Sequence, residues 1–166
     1  MDDPLSLILK IILLFVLILV NAFFAMSEIA IISVNDNKIK RMAEEGNKKA
    51  KKLLKLTSDS SSFLSTIQIG VTLAGFLTSA SAADNFSDPL AEGIQNLLNV
   101  HSATAVSIIN GVSLVLVTII ISYFSLVLGE LVPKKIAMQK SEAISFRVVG
   151  ILLFVKSFLK FFVKLL

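Results

Sequence analysis

Three runs of apolar residues divide the chain. The first lies within residues 5–34 and is free of charge from Ile11 to Ser27; the second is free of charge from Ser60 to Ala83, the third from Ser102 to Gly129. Each reaches the ~20 residues a helix needs to cross the hydrocarbon core of a bilayer. Helix is the expected form, because an open strand in lipid leaves its backbone groups without partners. The pattern therefore predicts spanning helices over about 5–34, 60–83 and 104–130. The second run differs in texture. Thr66, Gly70, Ala74, Thr78 and Ala82 recur at four-residue steps, and Gly75, Ser79 and Ala83 form a second such stripe. Small residues at this spacing let helix backbones approach closely in lipid. The stripes predict tight packing or dimerisation, and the same face is free to line a polar path, with Thr66, Gln68 and Thr72 as sources of oxygen.

Between and after the spans the pattern is amphipathic. Within 36–56, Ile39, Met42, Ala43, Ala50, Leu53 and Leu54 fall near helical spacing with lysines between them, which predicts a helix. Asp59 or Ser60 is placed to cap the second span. A further helical segment is expected over 135–166. In it, Lys156, Lys160 and Lys164 alternate with Phe154, Phe158, Phe161 and Phe162. A lysine stripe opposite aromatics favours a helix lying in the interface over a fourth span. His101 reads as a residue of an interfacial loop. The chain stops on an apolar end at Leu166 and is expected to continue into a cytoplasmic domain.

Composition supports this picture. Of the 166 residues, 55% are hydrophobic, and the mean hydropathy is +0.83, values of a membrane protein. The acidic start, Met1-Asp2-Asp3-Pro4, and the length of the first run argue against a cleaved signal peptide. Without cysteine, disulfides, thiolate metal sites and thiol nucleophiles are excluded, and a single histidine cannot form a histidine cluster. No catalytic constellation is present, so an enzyme is not expected. The lysines flank apolar runs, which does not suit a nucleic-acid face. Lys38, Lys40, Arg41, Lys48, Lys49, Lys51, Lys52 and Lys55 crowd the segment between the first two spans, whereas residues 84–101 hold Asp84, Asp88 and Glu92 and no Lys or Arg. By the positive-inside rule the N-terminus lies outside and the C-terminus in the cytoplasm of a multi-pass protein of the cell (inner) membrane.

Polar groups interrupt the spans at three points. The first span ends in Met26-Ser27-Glu28, and the second carries Gly70. The third runs into Gly129-Glu130-Leu131-Val132-Pro133-Lys134. Ionisable groups within a span mark interiors and ion paths. Proline lacks an N–H and clashes with the carbonyl four residues back. Pro133 is therefore expected to free the Gly129 carbonyl beside the Glu130 carboxylate, an oxygen set suited to a hard cation such as Mg²⁺. At ~1.5 Å per residue, Ser27, Gly70 and Gly129 lie about 10, 15 and 6 Å from the cytoplasmic ends of their spans. All three points fall in the same half of the bilayer.

Three segments carry a family resemblance: Phe23-Phe24-Ala25-Met26-Ser27-Glu28, Thr66-Ile67-Gln68-Ile69-Gly70-Val71-Thr72-Leu73 and Gly129-Glu130-Leu131-Val132-Pro133-Lys134. Together they resemble the signature segments of the CorC/CNNM magnesium transporter family, whose membrane module is known as DUF21. The resemblance covers nearly the whole of 1–166. It implies an all-α membrane protein, a homodimer with three transmembrane helices per subunit and cytoplasmic juxtamembrane helices, which here would be 36–56 and 135–166. It implies Na⁺-coupled export of a largely dehydrated Mg²⁺ from a cytoplasm-facing cavity. Ser27, Gly70, Thr72, Gly129 and Glu130 would bind the ion, with Glu28, Gln68 and Pro133 along the path or behind the ligands. Val71 stands where several relatives carry Asn, which removes one side-chain ligand. The family's cytoplasmic CBS pair, which binds ATP, is absent from this chain and expected in the full-length protein. The alternatives are a non-transporting dimeric membrane scaffold, which would show no selective Mg²⁺ effect, and a haemolysin-like membrane protein.

Overall fold

A computed structural model describes residues 4–100 and 102–165, with side chains over 5–100 and 102–159; the expectations for His101, Lys160, Phe161, Phe162 and Lys164 fall outside this range. The described elements are helices: α1 (Pro4–Ile32), α2 (Asp36–Glu44), α3 (Lys48–Thr57), α4 (Ser60–Leu98), α5 (Ala103–Leu126), a π turn (Val127–Leu131), α6 (Val132–Gln139) and α7 (Ser141–Leu165). Among the described residues, three stretches are long and apolar enough to cross a membrane: Leu5–Ile32, Ser60–Leu98 and Ala103–Gln139. The protein is thus an all-α, multi-pass membrane protein.

Three boundaries differ from the sequence pattern. The helix expected over 36–56 is two helices. Gly46 adopts φ +96°, a conformation that side chains disfavour, and turns the chain between them. Asn47 then restarts the helix, its Oδ1 accepting from the Lys49 and Ala50 N–H groups at 2.9 and 3.1 Å. The second difference is α4, which continues past Ala83 through Pro89 for a total of 39 residues. Phe86 and Leu90 keep the apolar spacing and pack on the cluster formed by Leu14, Ala82 and Val117. At ~1.5 Å per residue α4 is about 58 Å long, roughly twice the ~30 Å hydrocarbon core. It stops at Asn99 in the left-handed conformation (φ 49°). Third, the segment 135–166 holds two helices. Lys140 leaves helical geometry (φ −131°) between the end of α6 and the start of α7.

The third span passes through a π turn before Pro133. The Val132 N–H bonds to the Val127 carbonyl, five residues back. Pro133 follows at the start of α6, where the missing N–H is best tolerated. It can donate to neither the Leu128 carbonyl, its partner in π register, nor the Gly129 carbonyl, its partner in α register.

Burial is uneven along the bundle. The large cluster gathers where α1 ends and α4 begins: Ile31, Ile39, Leu53, Leu56, Phe63, Ile67, Ala137, Val149 and Leu152 are among its members. The spans themselves touch through small residues. Thr66, Ala74, Thr78 and Ala82 are buried within this one chain, so the first stripe packs against other helices of the same chain. Gly70 shows how closely. A Cβ there would stand 2.6 Å from the Phe24 ring of α1.

Candidate cation site

The Glu130 carboxylate hangs from the π turn, beside a buried residue that the apolar pattern of α1 conceals. Asn21 is the only polar side chain between Ile11 and Met26. It is 5% exposed, and its Oδ1 has no hydrogen-bond partner. The Asn21 amide leans on Gly129, where a Cβ would stand 2.9 Å from Nδ2 and 3.4 Å from the Ile18 carbonyl oxygen. Glycine at 129 is therefore what lets the π turn close onto α1.

Asn21 and Glu130 line one cavity of about 250 Å³, together with Val71, Gly75 and Ser79 of α4 and Ser122, Ser125 and Leu126 of α5. Its hydroxyls differ from several others in the spans. Ser27, Thr66, Thr78, Ser87 and Thr118 each donate to the carbonyl four residues back, at 2.6 to 2.8 Å. Ser79, Ser122 and Ser125 make no such bond and remain uncommitted. A buried carbonyl oxygen without a partner costs roughly 1–3 kcal/mol. Asn21, the residue that carries such an oxygen, lines a cavity along which three uncommitted hydroxyls and a carboxylate also lie. The other buried orphan among the described residues, Ser113 Oγ on α5, does not line this cavity.

Charge gathers on the near side of the π turn. Lys134 Nζ donates to Glu130 Oε1 at 2.6 Å and lies 3.6 Å from Glu28 Oε2. All three side chains are about one quarter to one third exposed. Among the described residues no three His, Cys, Asp or Glu side chains converge. An ion held here would be bound by amide, hydroxyl and backbone oxygens around one carboxylate.

Of the residues singled out by sequence, the structure sets Gly129 against Asn21 and gathers Glu130 and Glu28 around Lys134, which follows Pro133 in the chain. Ser27 is fully buried, and its hydroxyl is committed to the Phe23 carbonyl. Gly70 faces Phe24 rather than the cavity, while Thr72 and Gln68 are exposed and do not line it. Sequence reasoning passed over Asn21, Ser79, Ser122, Ser125 and Lys134 as site residues. For Asn21 the signal existed, since a lone amide in a long apolar run is a functional candidate by default. Val71 does face the cavity, so the departure from the family pattern falls on the lining itself. At the far end of α4 a second cavity, of about 620 Å³, is lined by Asp84, Asp88, Glu92 and Lys10 among others.

Fold and cavity together define a helical membrane domain with a polar pocket between its spans. Residues 12–166 match the family model described as the cyclin M transmembrane N-terminal domain, and the chain belongs to this CNNM family. A UPF0053 protein of Synechocystis is 39% identical over 140 residues, 82% of this chain and 30% of the relative. UPF0053 protein YhdP of Bacillus subtilis is 34% identical over 138 residues, 83% of this chain and 30% of the relative. The polyamine export protein of Escherichia coli is 28% identical over 141 residues, 85% of this chain and 30% of the relative. The chain spans about 30% of the length of the curated relatives it matches. Membership of this family is consistent with a role in membrane transport.

Proposed function

We propose that this domain carries Mg²⁺ across the membrane, as a transporter rather than an enzyme, with the Asn21–Glu130 cavity as the ion site. The observation that carries this reading is the uncommitted oxygen set: Asn21 Oδ1, three serine hydroxyls and one carboxylate, on residues that line one open cleft between three spans beside a turn whose carbonyls lack a proline donor. Mg²⁺ prefers oxygen in near-octahedral geometry and gives up its water reluctantly. A cage built in advance offsets part of that dehydration. The Asn21 amide enters the cavity that Val71 lines, and so supplies from α1 the amide that position 71 lacks. Lys134 acts as a tethered counter-cation. With no ion present, its ammonium neutralises Glu130 and Glu28; an arriving Mg²⁺ displaces it. The basic end faces the cytoplasm, so the ion enters there and leaves towards the acidic cavity at the far end of α4. Two copies of the chain form the working unit, and a Na⁺ gradient drives export.

A second reading has one specific observation in its favour. Lys134 shows that the Glu28–Glu130 pair accepts a primary alkylammonium, the group that ends a polyamine, and two relatives are named polyamine export proteins. The thermal midpoint of the purified protein, titrated in parallel with MgCl₂ and spermidine, separates the readings. Mg²⁺ is expected to raise the midpoint of wild type and of the lipid-facing variant Leu116→Ala, but not of Glu130→Gln or Asn21→Leu. A response to spermidine alone would support the polyamine reading, and no response to either would favour a scaffold.

A further inference from the structure

The lysines of α3 form a surface that no carboxylate among the described residues neutralises. Lys48, Lys51, Lys52 and Lys55 follow one another at one- to three-residue steps along one side of the helix, with Lys49 in its first turn, and all five are exposed. Ala50, Leu53 and Leu56 occupy the opposite side and are buried in the large core cluster, so the lysine face cannot rotate inward. The helix contains no Asp or Glu. Several neighbouring cations are paired, Lys38 with Glu142 at 2.5 Å, Lys134 with Glu130, and Lys156 with Asp59 at 3.3 Å, whereas Lys40, Lys135, Lys140 and Arg147 share the unpaired state of α3 among the described residues. The five lysines of α3 have no carboxylate partner among the described residues.

Position supplies the second argument. α3 ends at Thr57, and the membrane-crossing α4 starts at Ser60. The neighbouring α7 packs against α3 and leaves Phe154 and Phe158 exposed at 73% and 76%. Exposed aromatic rings beside a lysine face are the composition of a surface seated at the boundary between headgroups and acyl chains. Polybasic segments next to a span attract anionic lipid within a Debye length of the surface.

We propose that the α3 face is a docking site for anionic phospholipid headgroups of the leaflet on this side, with Lys48, Lys51, Lys52 and Lys55 as phosphate contacts and the α7 aromatics in the adjoining acyl region. Charge complementarity selects this occupant. The proposal does not depend on which ion the central cavity carries.

Native mass spectrometry of the whole chain, released from mixed micelles of phosphatidylcholine and phosphatidylglycerol, tests it. Wild type is expected to retain phosphatidylglycerol over phosphatidylcholine, and the Lys48/Lys51/Lys52/Lys55→Gln variant to lose at least tenfold of that preference. The corresponding Lys→Arg variant should keep it. Equal preference in the wild-type and glutamine proteins would overturn the assignment. So would displacement of the lipid by inorganic phosphate at equal concentration, which would make the site one for soluble phosphate. Should the glutamine variant fail to fold, salt decides the matter with wild type alone. Raising NaCl from 50 to 500 mM is expected to strip the bound phosphatidylglycerol, and retention unaffected by salt would refute the proposal.

Discussion

At the scale of single residues, the site depends on pairings that periodicity does not report. Lys134 lies three residues beyond the π turn, and only the folded chain shows it between Glu130 and Glu28. If it competes with the ion, Lys134→Met should tighten the apparent Mg²⁺ affinity about two- to fivefold, the equivalent of the ~0.5–1 kcal/mol a partly exposed ion pair contributes. A Mg²⁺ titration of the thermal midpoint measures this, and weakened affinity would show that the ammonium supports the site instead. The sequence made the carboxylate and glycine of the third motif legible because charge and proline inside an apolar run are conspicuous. It concealed the uncommitted serines, because serine in a helix usually bonds back to its own backbone. Only geometry shows that Ser79, Ser122 and Ser125 do not, and that Ser27 does.

At the scale of elements, the spans and caps were readable and the irregular joints were not. Long uncharged runs announce α1, α4 and α5, and Asp59 caps α4 as its position suggested, accepting from the Ser62 N–H at 3.2 Å. The split between α2 and α3 rests on one positive φ at Gly46, and the π turn on a one-residue change of hydrogen-bond register. Hydrophobic periodicity is blind to both. Asp59 gives a pH prediction. The Ser62 backbone hydrogen bond, aided by Lys156, holds its carboxyl below the usual aspartate range. Its folded-state pKa is thus depressed, so its contribution is present above the ordinary aspartate value and is lost as pH falls through the folded value. The thermal midpoint should drop on acidification below about pH 4, and this limb should be shallower in Asp59→Ala. An identical acid limb in that variant would remove Asp59 from the account.

At the scale of the whole molecule, one end of the bundle is built differently from its middle. Where α1 finishes and α4 begins, short amphipathic helices bury a large apolar cluster; between the spans, small residues and polar groups meet instead. That division follows from the solvent. Water drives apolar burial, whereas lipid is as apolar as the side chains and rewards close packing. The result is a firm apolar collar around a middle packed largely through small side chains, an arrangement that the proposed transport would use when the helices shift. Na⁺-coupled export predicts that an imposed Na⁺ gradient drives Mg²⁺ flux in proteoliposomes, and that Glu130→Gln abolishes it; flux indifferent to Na⁺ would remove the coupling. The most direct test of the central claim is the position of the ion. Crystals grown with Mn²⁺ in place of Mg²⁺ should show an anomalous peak within coordination distance of Glu130 and Asn21. A peak confined to other carboxylates, such as Asp84, Asp88 and Glu92, would contradict the cavity as the ion site.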